Sequence, residues 1–249
     1  MIRTEIGIDL NKAKLLLDSS DIISIPTETV YGLAANGKDP LAISKIYIAK
    51  KRPLSNPLIL HYKDTTSAFS DIKMISKDAE LLAEKFWPGP LTMLLPKKNT
   101  ICDAVTSGKP LVAIRVPNHQ LCNALLHKLD YPLAAPSANL YGRISPTSPA
   151  HVHEQLNSRI PYILDGGICE KGLESTIIGF ENDAVAIYRL GSISIEDIEA
   201  CIGKKVRLKN KIDSNQEPLT SGLVKHHYAP NTAMFLKAEK AKESNLYNC

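Results

Sequence analysis

The sequence has no run of about 18 apolar residues, so nothing in it is suited to cross a membrane as a helix. Its first stretch, Met1 to Leu10, carries Arg3, Glu5 and Asp9 and lacks the apolar centre of a signal peptide, so a cytoplasmic location is expected. Cysteine is sparse and scattered. Cys102, Cys122, Cys169, Cys201 and Cys249 include no pair at CxxC spacing, which argues against a zinc ribbon and against a disulfide framework. Buried free thiols are the expected state. There is no GxxxxGK[ST] phosphate loop, no GxGxxG after a strand, no GxSxG elbow and no HExxH pair. His151 and His153 are spaced by two and do not share a helix face, so they are expected to be solvated and no metal ligand is assigned.

Bulk positive charge is also missing from most of the chain. The formal net charge is +4, but residues 1–202 hold 21 Lys and Arg against 22 Asp and Glu, while residues 203–249 hold 9 against 4. A large nonspecific nucleic-acid surface on the main body is therefore disfavoured, and any basic site there must be made by a few converging cations.

Short apolar runs alternate with helical patterns, which indicates an α/β fold. Strands are expected at Ile22–Ile25, Leu58–Leu60, Leu91–Leu95, Leu111–Val116, Leu133–Ala135 and Tyr162–Leu164. A hairpin is expected from Ser175–Phe180 and Ala184–Tyr188, turning at Asn182-Asp183. Asp39-Pro40, Ser76, Asn118 and Ser194 read as helix starts. Thr147 to Leu156 reads as a further helix, and the last helix should stop near Gly203. Residues 204–230 are read as a linker, polar and Lys-rich at first and ending in the distinctive Lys225-His226-His227-Tyr228-Ala229-Pro230. Residues 231–249 are read as the start of a further domain or as a tail. Residues 1–203 would form the catalytic body.

Five polar segments fall at expected strand or helix ends, where α/β sheets bind ligands. They are Pro26-Thr27-Glu28-Thr29-Val30-Tyr31-Gly32-Leu33, Lys50 to Leu58, Val112 to Pro117, Ala135 to Asn139 running on to Ser145-Pro146-Thr147, and Leu173-Glu174-Ser175-Thr176-Ile177. Arg115 interrupts an apolar strand, where an unpaired guanidinium is costly. Taken alone, it fits either a strand residue that pairs internally or faces solvent, or a fork that clamps a carboxylate or phosphate. Lys50, Lys51 and Arg52 fit either a helix C-terminus that complements its dipole or a triphosphate clamp. Ser137, Asn139 and Ser145 fit turns and caps equally well.

In combination, PTETVYGL, KxRP..NPL, FWPGPLT, RVP, PSAN…SPT and ESTI closely resemble the YrdC-like domain of threonylcarbamoyl-AMP synthases, from about Ile22 to Gly191. KHHYAP is similar to the linker motif of the longer form of that family. The resemblance implies a twisted mixed sheet with flanking helices and a deep basic cleft. It implies an enzyme that makes threonylcarbamoyl-AMP and pyrophosphate from L-threonine, bicarbonate and ATP, with Mg²⁺ accompanying the nucleotide. The product would serve a threonylcarbamoyl-transferase complex that modifies tRNA. Carried over by motif, Thr29, His61, Arg115, the backbone at Ala135, and Ser175 would surround L-threonine. Arg52, Asn56, the backbone near Leu111, Ser137, Asn139, Ser145, Arg189 and Tyr228 would hold ATP. Lys50 and Arg52 would act in the chemistry. The sequence departs from the family at Leu140-Tyr141-Gly142 and at Thr220-Ser221-Gly222, and it has 19 residues after Pro230 where the longer form has a further domain. The alternatives are an RNA-binding module without synthase activity and an enzyme that uses carbamoyl phosphate.

Overall fold

The computed structural model describes residues 3–181 and 184–209. In chain order its elements are β1 (Glu5–Gly7), α1 (Leu10–Asp18), β2 (Ile23–Ile25), β3 (Gly32–Asn36), α2 (Pro40–Lys50), β4 (Ile59–His61), α3 (Thr65–Ser70), α4 (Lys77–Phe86), β5 (Leu91–Pro96) and α5 (Asp103–Thr106). They continue with β6 (Leu111–Arg115), α6 (Gln120–His127), β7 (Leu133–Ala134), α7 (Pro149–Leu156), β8 (Tyr162–Leu164), β9 (Thr176–Glu181), β10 (Ala184–Arg189), α8 (Ile195–Ile202) and β11 (Arg207–Leu208). The strands form one mixed, twisted sheet in the order β1-β8-β2-β3-β7-β4-β6-β5-β9-β10-β11. Parallel pairs (β4 with β6, β5 with β9) alternate with antiparallel ones (β3 with β7, β5 with β6). Among the described residues no helix is long and apolar enough to cross a membrane.

Local chemistry explains most of the boundaries. Asp39 accepts from the Leu41 amide and Pro40 occupies the first turn, so α2 starts where the sequence indicated. It ends as Lys51 turns left-handed, at φ 53°, just before Arg52-Pro53. Ser76 and Ser194 cap α4 and α8, and Gly203 closes α8 at φ 67°. The cap of α6 is a correction. It is His119, accepting from the Cys122 amide, and not Asn118. The helix expected from Thr147 starts two residues later, capped by Ser148.

Residues at alternate positions of one strand feed opposite faces of the sheet. Leu33, Ala35, Leu60, Ile114 and Ile163 enter a large core on one face. On the other face, Ile23, Ala34, Ala135 and Tyr162 join Ala13, Leu17, Leu125 and Leu126 from α1 and α6. At the far end of that same face a smaller cluster contains Ile59, Ala113, Ile177, Ala186 and Tyr188. The candidate site lies where these two smaller clusters meet.

Two edges of the sheet carry elements that the sequence pattern did not mark. β1 pairs parallel with β8, and α1 is capped by Asp9. Arg207–Leu208 pairs parallel with β10, and the Lys209 amide donates to the Ile187 carbonyl at 2.9 Å. Residues 207–208, read from the sequence as part of the linker, thus form an edge strand of the sheet. The expected turn at Asn182-Asp183, the KHHYAP segment and the 231–249 tail lie outside the described residues.

Candidate functional site

The parallel register of β4 and β6 sets His61 beside Arg115 and Ile59 beside Ala113, so both polar side chains end one strand face at the same level. Arg115 is 3% exposed. Its Nε donates to the Gly89 carbonyl at 3.2 Å and its Nη1 to Thr29 Oγ1 at 3.0 Å. Its Nη2 lies 2.7 Å from Glu28 Oε1 in a buried ion pair. Thr29 is in turn held by Thr27, whose hydroxyl lies 2.8 Å from that of Thr29 and donates to the Val30 carbonyl at 2.7 Å. Thr27 thus folds the TETV segment into a hydroxyl-stabilised turn.

A second cation arrives from the opposite side. A β-bulge between Ile187 and Arg189 shifts the register of β10 against β9, and such bulges re-aim a side chain. Arg189 Nε donates to the Ser175 carbonyl at 3.0 Å and Nη2 to Ser175 Oγ at 2.9 Å. The Ser175 hydroxyl also lies 2.7 Å from that of Thr92. Glu174 bridges Ser145, whose hydroxyl donates to it at 2.7 Å, and Arg189, at 3.5 Å. Gly191 permits this packing, because a Cβ there would sit 2.3 Å from the Glu174 carbonyl oxygen and 2.4 Å from the Thr176 nitrogen. Arg52, the third cation, donates to the Asn56 and Pro57 carbonyls at 3.1 and 3.0 Å, which explains the RPxxNP spacing. Its guanidinium also lies over the Tyr141 ring.

These groups enclose two adjoining cavities. The first, the smaller, is lined among others by Thr29, Arg52, His61, Arg115, Ala135, Ser137, Ser175 and Arg189. The second, wider and more open, is lined by Ile144, Ser145, Leu173 and Leu190 among others, and shares Val30, Glu174 and Arg189 with the first. Every residue that the sequence placed around L-threonine lines the first cavity. At Ala135 the backbone amide is already committed to the Ile59 carbonyl at 2.9 Å.

Four assignments take different positions. Lys50 lines neither cavity. It is fully buried, and its Nζ donates to the Ser137 and Asn139 carbonyls, both at 2.5 Å. Burial, followed by the charge of Arg52, holds its pKa well below the ordinary lysine value. In this position Lys50 braces the PSAN loop. Asn139 turns into that loop, donating to the Leu140 and Arg143 carbonyls. Leu111 starts β6 at the end remote from Arg115 and packs against the small cluster. Asn56 is 1% exposed, and neither amide atom has a hydrogen-bond partner among the described residues. Tyr228 lies outside the described residues.

Sequence reasoning named neither Glu28 nor Glu174 as a site residue. The signal for Glu28 was available, because an arginine inside a buried apolar strand requires a buried acid nearby. Glu174 had no comparable signal, since its role depends on the bulge at Arg189.

His61 is held neutral. Burial first, and Arg115 second, depress its pKa to about 3. Below the unfolded value of 6.5 the unfolded chain gains this proton and the folded chain does not, so stability falls as pH drops from 6.5 towards 3, by up to about 1.4 kcal/mol per pH unit. The His61 ring resonances are therefore expected not to titrate between pH 5 and 8. His61→Gln should flatten the loss of melting temperature between pH 6.5 and 5.

Comparison with known proteins adds an independent line. The Sua5/YciO/YrdC family model, described as "Telomere recombination", matches residues 16–191. The chain belongs to this family. A second match, described as "Threonylcarbamoyl-AMP synthase, C-terminal domain", covers residues 193–248. Over 224 residues the chain is 42% identical to the threonylcarbamoyl-AMP synthase of Bacillus subtilis (strain 168), covering 90% of this chain and 65% of the relative. It is 39% identical to that of Pyrococcus abyssi over 220 residues, covering 86% of this chain and 64% of the relative. The chain thus spans just under two thirds of the length of these curated relatives. The crystal structure of P. abyssi Sua5 complexed with L-threonine superposes with a TM-score of 0.86 at 37% identity, covering 92% of this chain and 69% of that one. The mixed sheet with flanking helices is therefore the Sua5/YrdC fold.

Proposed function

We propose that this chain is the synthase part of a threonylcarbamoyl-AMP synthase, converting L-threonine, bicarbonate and ATP to threonylcarbamoyl-AMP and pyrophosphate. The observation that carries this reading is the convergence of Arg52, Arg115 and Arg189, drawn from three distant segments, on one cavity that opens into a second. The L-threonine complex of the P. abyssi relative supports L-threonine as a ligand, and this reading seats it in the smaller cavity.

In this reading Arg115 takes the threonine carboxylate through its remaining N–H donors, and Thr29 or Ser175 meets the substrate hydroxyl. A buried hydroxyl left unpaired would penalise analogues that lack that group. The neutral His61 ring offers an acceptor without adding charge. Threonine's ammonium and bicarbonate give the carbamate, releasing water and a proton. A carbamate oxygen then forms a bond to the α-phosphorus, and the bond to the bridging oxygen breaks as pyrophosphate leaves. Such transfer needs alignment and neutralisation of developing charge more than a protein nucleophile. Arg52 and Arg189 supply that charge, with Ser137 and Ser145 as hydroxyl donors to the nucleotide. Mg²⁺ enters as part of the nucleotide substrate. Among the described residues no three His, Cys, Asp or Glu side chains converge to hold a metal ion, and Glu174 is the one carboxylate lining either cavity. The product would pass in the cytoplasm to the transferase complex that acts on tRNA.

Pyrophosphate release from ATP is expected to require both L-threonine and bicarbonate, with L-serine a poor substitute. Release that is indifferent to either would refute the assignment. A steep salt dependence of tRNA affinity without such turnover would replace it with the RNA-binding reading.

A further inference from the structure

Two hydroxyl groups that line the smaller cavity, those of Ser175 and Thr29, are bonded to neighbours that settle where each proton goes. Ser175 accepts from Arg189 Nη2 at 2.9 Å, since a guanidinium can only donate. Its second neighbour is Thr92, whose hydroxyl lies 2.7 Å away. Thr92 belongs to β5, is 0% exposed and stands behind the cavity wall. Among the described residues its hydroxyl has no other hydrogen-bond partner. A buried O–H without an acceptor is costlier than an unused lone pair. Thr92 therefore donates to Ser175. Both lone pairs of Ser175 are then filled, and its own proton is left for the cavity.

Thr29 is fixed in the opposite sense. Thr27 spends its proton on the Val30 carbonyl at 2.7 Å, so in the 2.8 Å contact between Thr27 and Thr29 the donor is Thr29. Thr29 also accepts from Arg115 Nη1 at 3.0 Å, which leaves it one lone pair and no proton for the cavity. The cavity thus offers one hydroxyl donor and one hydroxyl acceptor. An alcohol complements both, giving its proton to Thr29 and accepting that of Ser175. A methyl group in its place satisfies neither.

We propose that Thr92 is a positioning residue for specificity: from behind the cavity wall it fixes and polarises the Ser175 hydroxyl as a donor to the side-chain alcohol of the amino acid. The inference rests on the amino-acid cavity of the preceding section. The test uses the full chain as wild type, Thr92→Val, Thr92→Ser, Ser175→Ala and the double variant Thr92→Val/Ser175→Ala. Each is titrated calorimetrically with L-threonine and with L-valine, which carries a methyl in place of the hydroxyl. Thr92→Val is expected to lower the preference for threonine over valine about three- to tenfold, the scale of one hydrogen bond, by weakening threonine and leaving valine unchanged. Thr92→Ser, which keeps the hydroxyl, should retain the wild-type preference. In the Ser175→Ala background Thr92→Val should change the preference no further. If Thr92→Val does not fold, Thr92→Ala removes the hydroxyl without adding bulk and takes the same readings. Equal weakening of both amino acids in Thr92→Val would show a merely structural role and overturn the proposal. So would an effect of Thr92→Val that persists without Ser175, a Thr92→Ser protein as indiscriminate as Thr92→Val, or wild type that binds valine as well as threonine. Wild-type protein that binds neither amino acid would sink the functional reading instead.

Discussion

Arg115→Met is expected to lose about a hundredfold or more in threonine-dependent pyrophosphate release and to lower the melting temperature by roughly 10 °C. The two losses have separate causes. Removing the guanidinium strands Glu28, a carboxylate 3% exposed whose close charge partner is Arg115. Breaking a buried pair from one side costs about 3–5 kcal/mol, because the surviving charge keeps its desolvation penalty. The turnover loss comes from the cavity side, where the donors that would hold the substrate carboxylate disappear. The double variant Arg115→Met/Glu28→Gln separates these effects. With both charges gone, most of the lost melting temperature should return, since an apolar replacement of a whole buried pair is often neutral. Turnover should stay lost. A single variant as stable as wild type would show that the pair is not isolated from water. A double variant that regains turnover would show that Arg115 does not touch substrate.

The same pair shows how far the sequence could be read. An arginine in Leu111–Arg115 admitted two interpretations, internal pairing or a ligand clamp, and the structure joins them: one edge of the guanidinium pairs with Glu28 and the rest lines the cavity. Strand positions were legible wherever a short apolar run was bounded by Pro or Gly, as at Tyr162–Leu164. They were illegible where side chains are small, as in Gly32–Asn36, whose burial comes from packing between two neighbours and not from its own hydropathy. Arg207–Leu208 was missed because an edge strand in a Lys-rich stretch carries no apolar pattern. The residues that the sequence grouped around the amino acid line one cavity because strand ends and one turn fix them locally. Those that it grouped around the nucleotide are more dispersed. Whether Lys50, Asn56 or Asn139 reaches a cavity depends on loop conformation, and their spacing does not encode it.

Lys50 supplies the sharpest test of that distinction. Its motif position suggested direct participation, yet its Nζ is spent on two carbonyls of the loop that carries Ser137. Lys50→Met fills similar volume without the amine and leaves those carbonyls buried and unpaired, at about 1–3 kcal/mol each. The melting temperature should drop by roughly 5–15 °C, and turnover should fall on the order of a hundredfold as Ser137 drifts from its place beside Arg52. With Lys50 acting as a brace, the pH dependence of the residual rate should keep the wild-type shape, and the defect should grow with the ATP affinity loss. Arg52→Met should behave differently. Arg52 lines the cavity, so its loss should depress turnover even at saturating ATP. A Lys50→Met protein with wild-type stability and ATP affinity but altered pH dependence would return the lysine to the chemistry.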